Sequence, residues 1–326
     1  MNNFVKYVLD NGGSIKPLII PSHFTSGTGT FNPSVLVNGD NIFVIIRHCD
    51  YTLYHSEYNK YEHHRGPLQY LHRENHWPIK TTNYFCHLNQ DLDVTFCSPI
   101  NTSLLDKDPL WSFAGLEDAR IINWENKLYI TGVRRDTDTK GTGRIELSQI
   151  IFENSEIKEI SRHRIPSPNG DNSYCEKNWM PIATKPFHYV KWTNPTEIVK
   201  CKIDTNIESD VVYFKSFAGI DSTLKGGSQV IPYEEGHLCL THTSDIHHSL
   251  AGKINNMYKH QFVYWDSNWN ITKVSSFFNF MNSKIEFCCG MSKYKQDYLI
   301  SFGIQDNASY ILRVPEKLMG EFISEE

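Results

Sequence analysis

The sequence predicts an all-β chain folded as a five-bladed β-propeller. Three observations carry this expectation. Short β-branched and aromatic runs, bounded by Gly, Asn, Asp and Pro, recur along the whole chain. A two-strand unit with a polar opening repeats five times. Helical periodicity is scarce, and only Asn3–Leu9 reads as a short helix or turn.

The first unit opens at Asn32 with Asn-Pro-Ser-Val-Leu-Val, turns at Asn38-Gly-Asp, and runs through Ile42–Ile46 to Arg47. The second opens at Glu117, turns at Glu125-Asn126, and runs through Lys127–Thr131 to Arg134-Arg135. The third opens at Lys177 and ends at Asn194-Pro195; the fourth opens at Gly227 and ends past His242. The fifth opens at Cys289 and runs through Tyr298–Phe302 to Asp306. These openings are separated by 85, 60, 50 and 62 residues. Third strands follow several units, at Arg144–Glu153, Glu197–Ile203, Gln261–Asp266 and Tyr310–Val314. Five sheet-sized units fit blades arranged about an axial channel, with a sandwich or barrel as the alternative. Residues 57–110, rich in His and Tyr, read as an insertion or rim loop between the first two blades. No linker divides residues 1–326, so one domain is expected.

Composition excludes several functions. The net charge of −5 leaves no basic surplus to neutralise phosphates, so nucleic acid is not an expected partner. No run approaches the roughly 20 apolar residues of a membrane span. The N-terminus lacks the basic-then-apolar layout of an export signal, so a cytoplasmic location is expected. The eight cysteines contain no CxxC pair. They read as buried thiols rather than zinc ligands, and no metal site or bound cofactor is expected. Asp136-Thr-Asp138 has the composition of a hairpin turn, and Gly141-x-Gly143 is too short for a dinucleotide fingerprint.

In a propeller, polar groups at strand ends of different blades converge at the channel mouth. The unit openings supply Asn32, Glu117-Asp118, Glu176-Lys177, Gly227-Ser228 and Glu286; the second-strand ends supply Arg47, Arg134, Arg135, His242 and Asp306. Strand neighbours point to opposite faces, so only one of Arg134 and Arg135 can face the channel.

Gly115-Leu-Glu-Asp-Ala-Arg120 resembles the Gly-x-Glu-Asp-Pro-Arg segment of glycoside hydrolase family 130, five-bladed propellers acting on β-mannosides, mostly as inverting phosphorylases. Other segments agree in order. They are Phe31-Asn-Pro33 followed by Arg47, Glu176-Lys-Asn-Trp179, Gly227-Ser-Gln-Val to His242, and Ile285–Gly290 to Asp306. The related glycosyltransferase family 108 shares the fold. The resemblance covers about residues 30–315. It implies that Asp118 is the catalytic acid, acting through a hydroxyl of the neighbouring sugar. It implies a substrate phosphate or sugar phosphate held by groups among Arg134, Arg135, Arg144, Lys177 and His242. Asn32, Arg47, Glu117 and Asp306 would bind sugar hydroxyls, and Trp179, Trp111 and Tyr258 would pack on sugar faces. The expected partner is therefore an oligosaccharide or glycan.

Two departures stand out. Ala119 replaces a Pro that only restrains the backbone. Thr193 stands where phosphorylases usually place a phosphate-binding Arg, which leaves free phosphate, mannose 1-phosphate or a nucleotide sugar open as donor. An inverting hydrolase would need a second carboxylate, for which Glu176 or Glu286 is available. A glycan-binding propeller without turnover is the non-enzymatic alternative.

Overall fold

A computed structural model of the chain describes residues 3–25, 27–55, 68–72, 77–170, 173–248 and 254–324. Burial sorts the strands by position. Thr30–Asn38, Glu117–Trp124 and Glu286–Tyr294 are buried along most of their length, as strands covered on both faces must be. These are innermost strands, and each starts a blade of successive antiparallel hairpins.

The first blade is Thr30–Asn38, Asn41–Cys49, Ile79–Leu88 and Val94–Asn101. The second is Glu117–Trp124, Lys127–Arg134, Arg144–Glu153 and Glu156–Arg164. Their outermost strands pair in parallel at Ile100–Ile157, which fuses the two blades into one continuous sheet. The third blade is Met180–Pro181, His188–Trp192, Thr196–Lys202 and Glu208–Lys215. The fourth has a broken inner edge, Lys225–Gly226 and Ile231–Tyr233, then Gly236–His248, Ile254–Trp265 and Ile271–Val274. The fifth is Glu286–Tyr294, Asp297–Ile304 and Ala308–Pro315. Its outer strand comes from the other end of the chain: Ser14–Pro17 pairs with Ala308–Pro315 and ties the termini together.

Helix Phe4–Asp10 forms as the sequence predicts, with the Asn3 side chain accepting from Lys6 N. A second helix, Glu316–Ser324, was not read from sequence. Leu318, Met319, Phe322 and Ile323 form its buried side, packed with Phe4, Phe262 and Phe278 in one core cluster.

The expected insertion needs correction. Residues 79–101 are the third and fourth strands of the first blade, and the extra segment lies between its second and third strands. The strand Ile79–Leu88 escaped notice because Thr, Asn, Cys and His dilute its apolar alternation. Of the inserted segment, Tyr51–His55 and Leu68–His72 form a two-stranded ribbon. His63, His64 and His76 lie outside the described residues. All eight cysteines are free, six of them buried, as expected of structural thiols. Among the described residues no helix is long and apolar enough to cross a membrane.

The axis is sealed by one amide. Gln229, 2% exposed, donates from Nε2 to Ser34 Oγ (3.1 Å), Val35 O (3.1 Å) and Ile121 O (2.7 Å), and its Oε1 accepts from Met291 N (3.0 Å). A residue of the fourth blade thus satisfies backbone groups of the first, second and fifth. Gln229→Leu keeps the bulk but strands these groups, each worth about 1–3 kcal/mol when left unpaired. The expected loss is about 2–3 kcal/mol in urea unfolding; a loss below about 0.5 kcal/mol would show the amide to be dispensable.

Candidate active site

Above this seal, the blades enclose a cavity of about 330 Å³ lined by strand-end residues from all five. The size lies within the range of small-ligand sites, about 300–1,000 Å³. Local backbone irregularity aims the polar groups. The register shifts between Phe31 and Ser34 in the first blade, and between Thr131 and Val133 opposite Asp118 in the second. Such bulges re-aim a side chain that regular pleating would direct elsewhere. Asn32, Asp118 and Asp306 all sit at positive φ (49°, 50° and 50°). Asn and Asp tolerate that region better than other residues with a Cβ. Two glycines make the room: a Cβ on Gly132 would lie 2.3 Å from Glu117 O, and one on Gly303 would lie 2.5 Å from Asn32 N.

Three carboxyl groups line the cavity in different electrostatic states. Asp118 Oδ1 accepts from Asn32 Nδ2 and Arg47 Nη1, each at 2.8 Å. Burial pushes its carboxyl up, but the Arg47 guanidinium and these two hydrogen bonds outweigh that and hold it below the usual carboxylate range. Glu117, 3.6 Å from Arg47, is raised by burial and by Asp118, with Arg47 opposing. Asp306 accepts from the Tyr51 hydroxyl at 2.7 Å. Burial pushes it up to about 6, against Arg47 and the Tyr51 hydrogen bond.

Arg135, Lys177 and Lys225 also line the cavity. Arg135 donates to Cys175 Sγ at 3.0 Å and lies over the Tyr174 ring. Lys225 donates to Ser244 Oγ at 3.0 Å; burial and then Lys177 lower its pKa. Among the described residues Lys177 has no hydrogen bond or ion pair. His242 lies against Tyr258 (5.4 Å, stacked) and Phe287 (4.8 Å, edge-on). Burial, with His260 and Lys225 adding, lowers it well below the ordinary histidine value, so the imidazole is neutral.

The structure therefore gathers Asn32, Arg47, Glu117, Asp118, Arg135, Lys177, His242, Tyr258 and Asp306, read from sequence as candidates. His242 is there as a neutral group rather than a cation. Arg134 is not there. Strand alternation turns it the other way, to ion pairs with Glu146 (2.7 Å) and Asp136 (3.3 Å), while Arg135 takes the cavity side. Arg144 donates to Gly143 O (2.8 Å) and Ser173 O (2.7 Å), which pins a loop rather than a ligand. Trp179 is 2% exposed in the core beneath the second and third blades, and its Nε1 donates to Glu176 Oε2 at 3.0 Å. Trp111 packs over Gly141 outside the cavity. Glu176 pairs with Lys191 at 3.5 Å, not with Lys177. Asp138 accepts from Lys140 N and Thr142 N, the hairpin turn expected of that segment. Sequence reading missed Tyr51, Tyr70, Asn178, Lys225 and Asn256. Asn178, at φ 62°, directly follows Lys177 and repeats the positive-φ device of Asn32 and Asp118; its one sequence signal is that position in the repeat.

Holding Asp306 in this cavity costs stability. Its folded value, about 6, lies above that of an unfolded carboxyl, so the penalty is fully present above pH 6 and fades as pH falls through the folded and then the unfolded value. Asp306→Asn is expected to raise the urea midpoint at pH 7.5, with the gain shrinking toward pH 5. A gain independent of pH would mean that the charge is not its source.

Fold and site together define a five-bladed propeller whose axial mouth sets acidic groups against cationic ones. Solved structures sharing the fold include a β-1,2-mannobiose phosphorylase from Listeria innocua, determined with β-1,2-mannobiose. It has 13% identity, covers 96% of this chain and 97% of its own, and has a TM-score of 0.54. A mannose phosphorylase from Leishmania mexicana, determined with a phosphate ion, has 9% identity over 97% and 93% of the two chains and a TM-score of 0.54. A third is described with the GH130 family of mannoside phosphorylases, which contains glycoside hydrolases that target β-1,2 mannosidic linkages in Candida mannan. It has 13% identity over 89% and 85% and a TM-score of 0.59. At this identity the likeness is one of fold, and the resemblance read from the motifs holds at that level. No sequence-family model matches the chain, and no curated protein matches it by sequence.

Proposed function

We propose that this chain is a carbohydrate-active enzyme performing inverting glycosyl transfer on β-mannosides, with phosphate or a sugar phosphate as the partner substrate. One observation carries the reading: a single cavity holds Glu117, Asp118 and Asp306 together with Arg135, Lys177 and Lys225. The carboxyl groups and Asn32 suit sugar hydroxyls. The cations suit a multiply charged anion bound by charge-assisted hydrogen bonds. They supply charge in a chain that has Thr193, buried and 0% exposed, where the resembled phosphorylases place an Arg.

In the reaction, Asp118 delivers a proton through a sugar hydroxyl to the glycosidic oxygen. That C–O bond breaks, and a phosphate oxygen bonds to the anomeric carbon from the opposite face. The products are α-mannose 1-phosphate and the shortened acceptor. In the free protein Asp118 is ionised; a bound phosphate adds negative charge nearby and raises its proton affinity. No cofactor enters the scheme.

The two carboxylates read from the sequence as a water-activating base, Glu176 and Glu286, are engaged elsewhere. Glu176 accepts from Ser173 and Trp179, and Glu286, 0% exposed, accepts from Phe280 N, Met281 N and Ser283 N. Glu117 and Asp306 stay in the cavity beside Asp118, so the dependence of turnover on phosphate decides between the two nucleophiles.

Incubation with β-1,2-mannobiose and inorganic phosphate is expected to yield mannose 1-phosphate, and mannose with mannose 1-phosphate to give the reverse. Lys177→Ala is expected to raise the KM for phosphate about tenfold, as loss of a charged hydrogen bond does, with the sugar KM little changed. Phosphate-independent release of mannose would replace this reading with hydrolysis. Glycan binding with no turnover from any donor would leave a lectin-like propeller.

A further inference from the structure

A larger hollow lies outside the candidate active site. It is a cleft of about 620 Å³ between the first and second blades, walled by Lys80–Asn83 on one side and Gly115, Leu116 and Ile130 on the other. Trp77 stands at its rim, 71% exposed, the most exposed aromatic ring among the described residues. Inside, Asn83 is 8% exposed; its Nδ2 donates to Leu116 O at 2.9 Å, but its buried Oδ1 has no hydrogen-bond partner among the described residues. Such an unpaired acceptor is costly unless a ligand or water donates to it.

The chemistry of the lining identifies the ligand class. Hydroxyls and amides, including those of Thr82, Asn101 and Ser103, share the walls with Asn83. The buried charges of the lining are paired: Arg134 with Asp136, and Glu159 with Arg162. Lys80 and Lys107 also line the cleft, but their side chains are exposed, and among the described residues they form no buried cationic cluster. An uncharged polyol suits such walls, and an exposed indole offers a flat apolar face to the C–H side of a pyranose ring.

We propose that this cleft is a second carbohydrate site, binding a stretch of uncharged oligosaccharide with Trp77 as the stacking platform and Asn83 as the buried acceptor. That the sugar is mannose-based rests on the proposed function; the existence of the site does not. The cleft also shares a wall with the active cavity. Thr81 lines the cleft while its Oγ1 lies 3.5 Å from Arg47 Nη2, and Asn83 holds the carbonyl of Leu116, the residue before Glu117.

The test uses the full chain and two probes, β-1,2-mannohexaose and cellohexaose, in equilibrium binding to the protein and to Trp77→Ala and Trp77→Phe. Trp77 is exposed, so neither change threatens the fold. The mannan probe is expected to bind, with Kd about tenfold weaker in Trp77→Ala and largely restored in Trp77→Phe. Turnover of β-1,2-mannobiose, which the cavity alone accommodates, stays unchanged in both variants. If no substrate turns over but a hexaose still binds through Trp77, the proposed function fails and the second site stands. Binding of cellohexaose alone would keep the site and change its sugar. Identical Kd in all three proteins, or binding of neither probe, overturns it.

Discussion

Asp118→Asn is expected to lower kcat for phosphorolysis by about 10²–10⁴-fold, the loss typical of a positioned proton donor. The amide keeps the shape and can still accept from Asn32 and Arg47, which now hold the carboxylate at 2.8 Å each. Arg47 also retains Glu117 at 3.6 Å, so the lost charge should lower the urea midpoint without unfolding the protein. What the variant lacks is the proton. A nitrophenyl β-mannoside, whose leaving group departs as a stable anion, asks for no protonation, and its turnover should fall far less than that of mannobiose. Equal losses on the two substrates would assign Asp118 to positioning and move the acid elsewhere, with Asp306, which burial pushes up to about 6, as a candidate.

The blade count was readable because each blade begins with a short apolar strand and a tight polar turn, as at Asn38-Gly39-Asp40 and Glu125-Asn126. The outer strands were harder. Glu208–Lys215 is exposed at five of its eight residues and carries three charges, and Ile79–Leu88 carries Thr, Asn and Cys at positions that packing accepts. Ring closure by Ser14–Pro17 was invisible, because a four-residue strand acquires meaning only from the edge it meets some 300 residues later.

The site was legible where the repeat placed it. Asn32, Glu117 and Lys177 open their units, and the fold brings that point to the axis. Facing was less legible. Arg134 and Arg135 are adjacent, and alternation lets only one of them face the cavity, with nothing in the sequence to mark which. Trp179 and Glu176 have the right position and chemistry, yet they satisfy each other in the core, a pairing set by tertiary packing. Tyr51 and Tyr70 belong to a ribbon inserted outside the repeat, so no periodicity marked them.

Arg47→Met should produce a loss of stability that depends on pH with a diagnostic sign. Arg47 is 6% exposed, lies over Phe31 at 4.9 Å, and pairs with both Asp118 and Glu117. Methionine preserves the packing on Phe31 but leaves two carboxyl groups side by side without their cation. Breaking a buried pair from one side costs about 3–5 kcal/mol. In the wild type the Asp118 pKa is depressed, so its contribution is present above the unfolded carboxyl value and is lost only as pH falls through the folded one. Without Arg47 burial loses its largest opponent at both groups, leaving Asn32 and Arg120 to act on Asp118 and Arg135 and Lys177 on Glu117, and the native state is expected to bind protons more tightly than the unfolded chain. Stability should then fall as pH rises. The gap between variant and wild type in urea midpoint should widen from pH 5 to pH 8, because at pH 5 protonation relieves the repulsion. A gap of constant width would show that Arg47 acts through packing alone. A widening gap would place the electrostatic strain of the acidic side on one guanidinium.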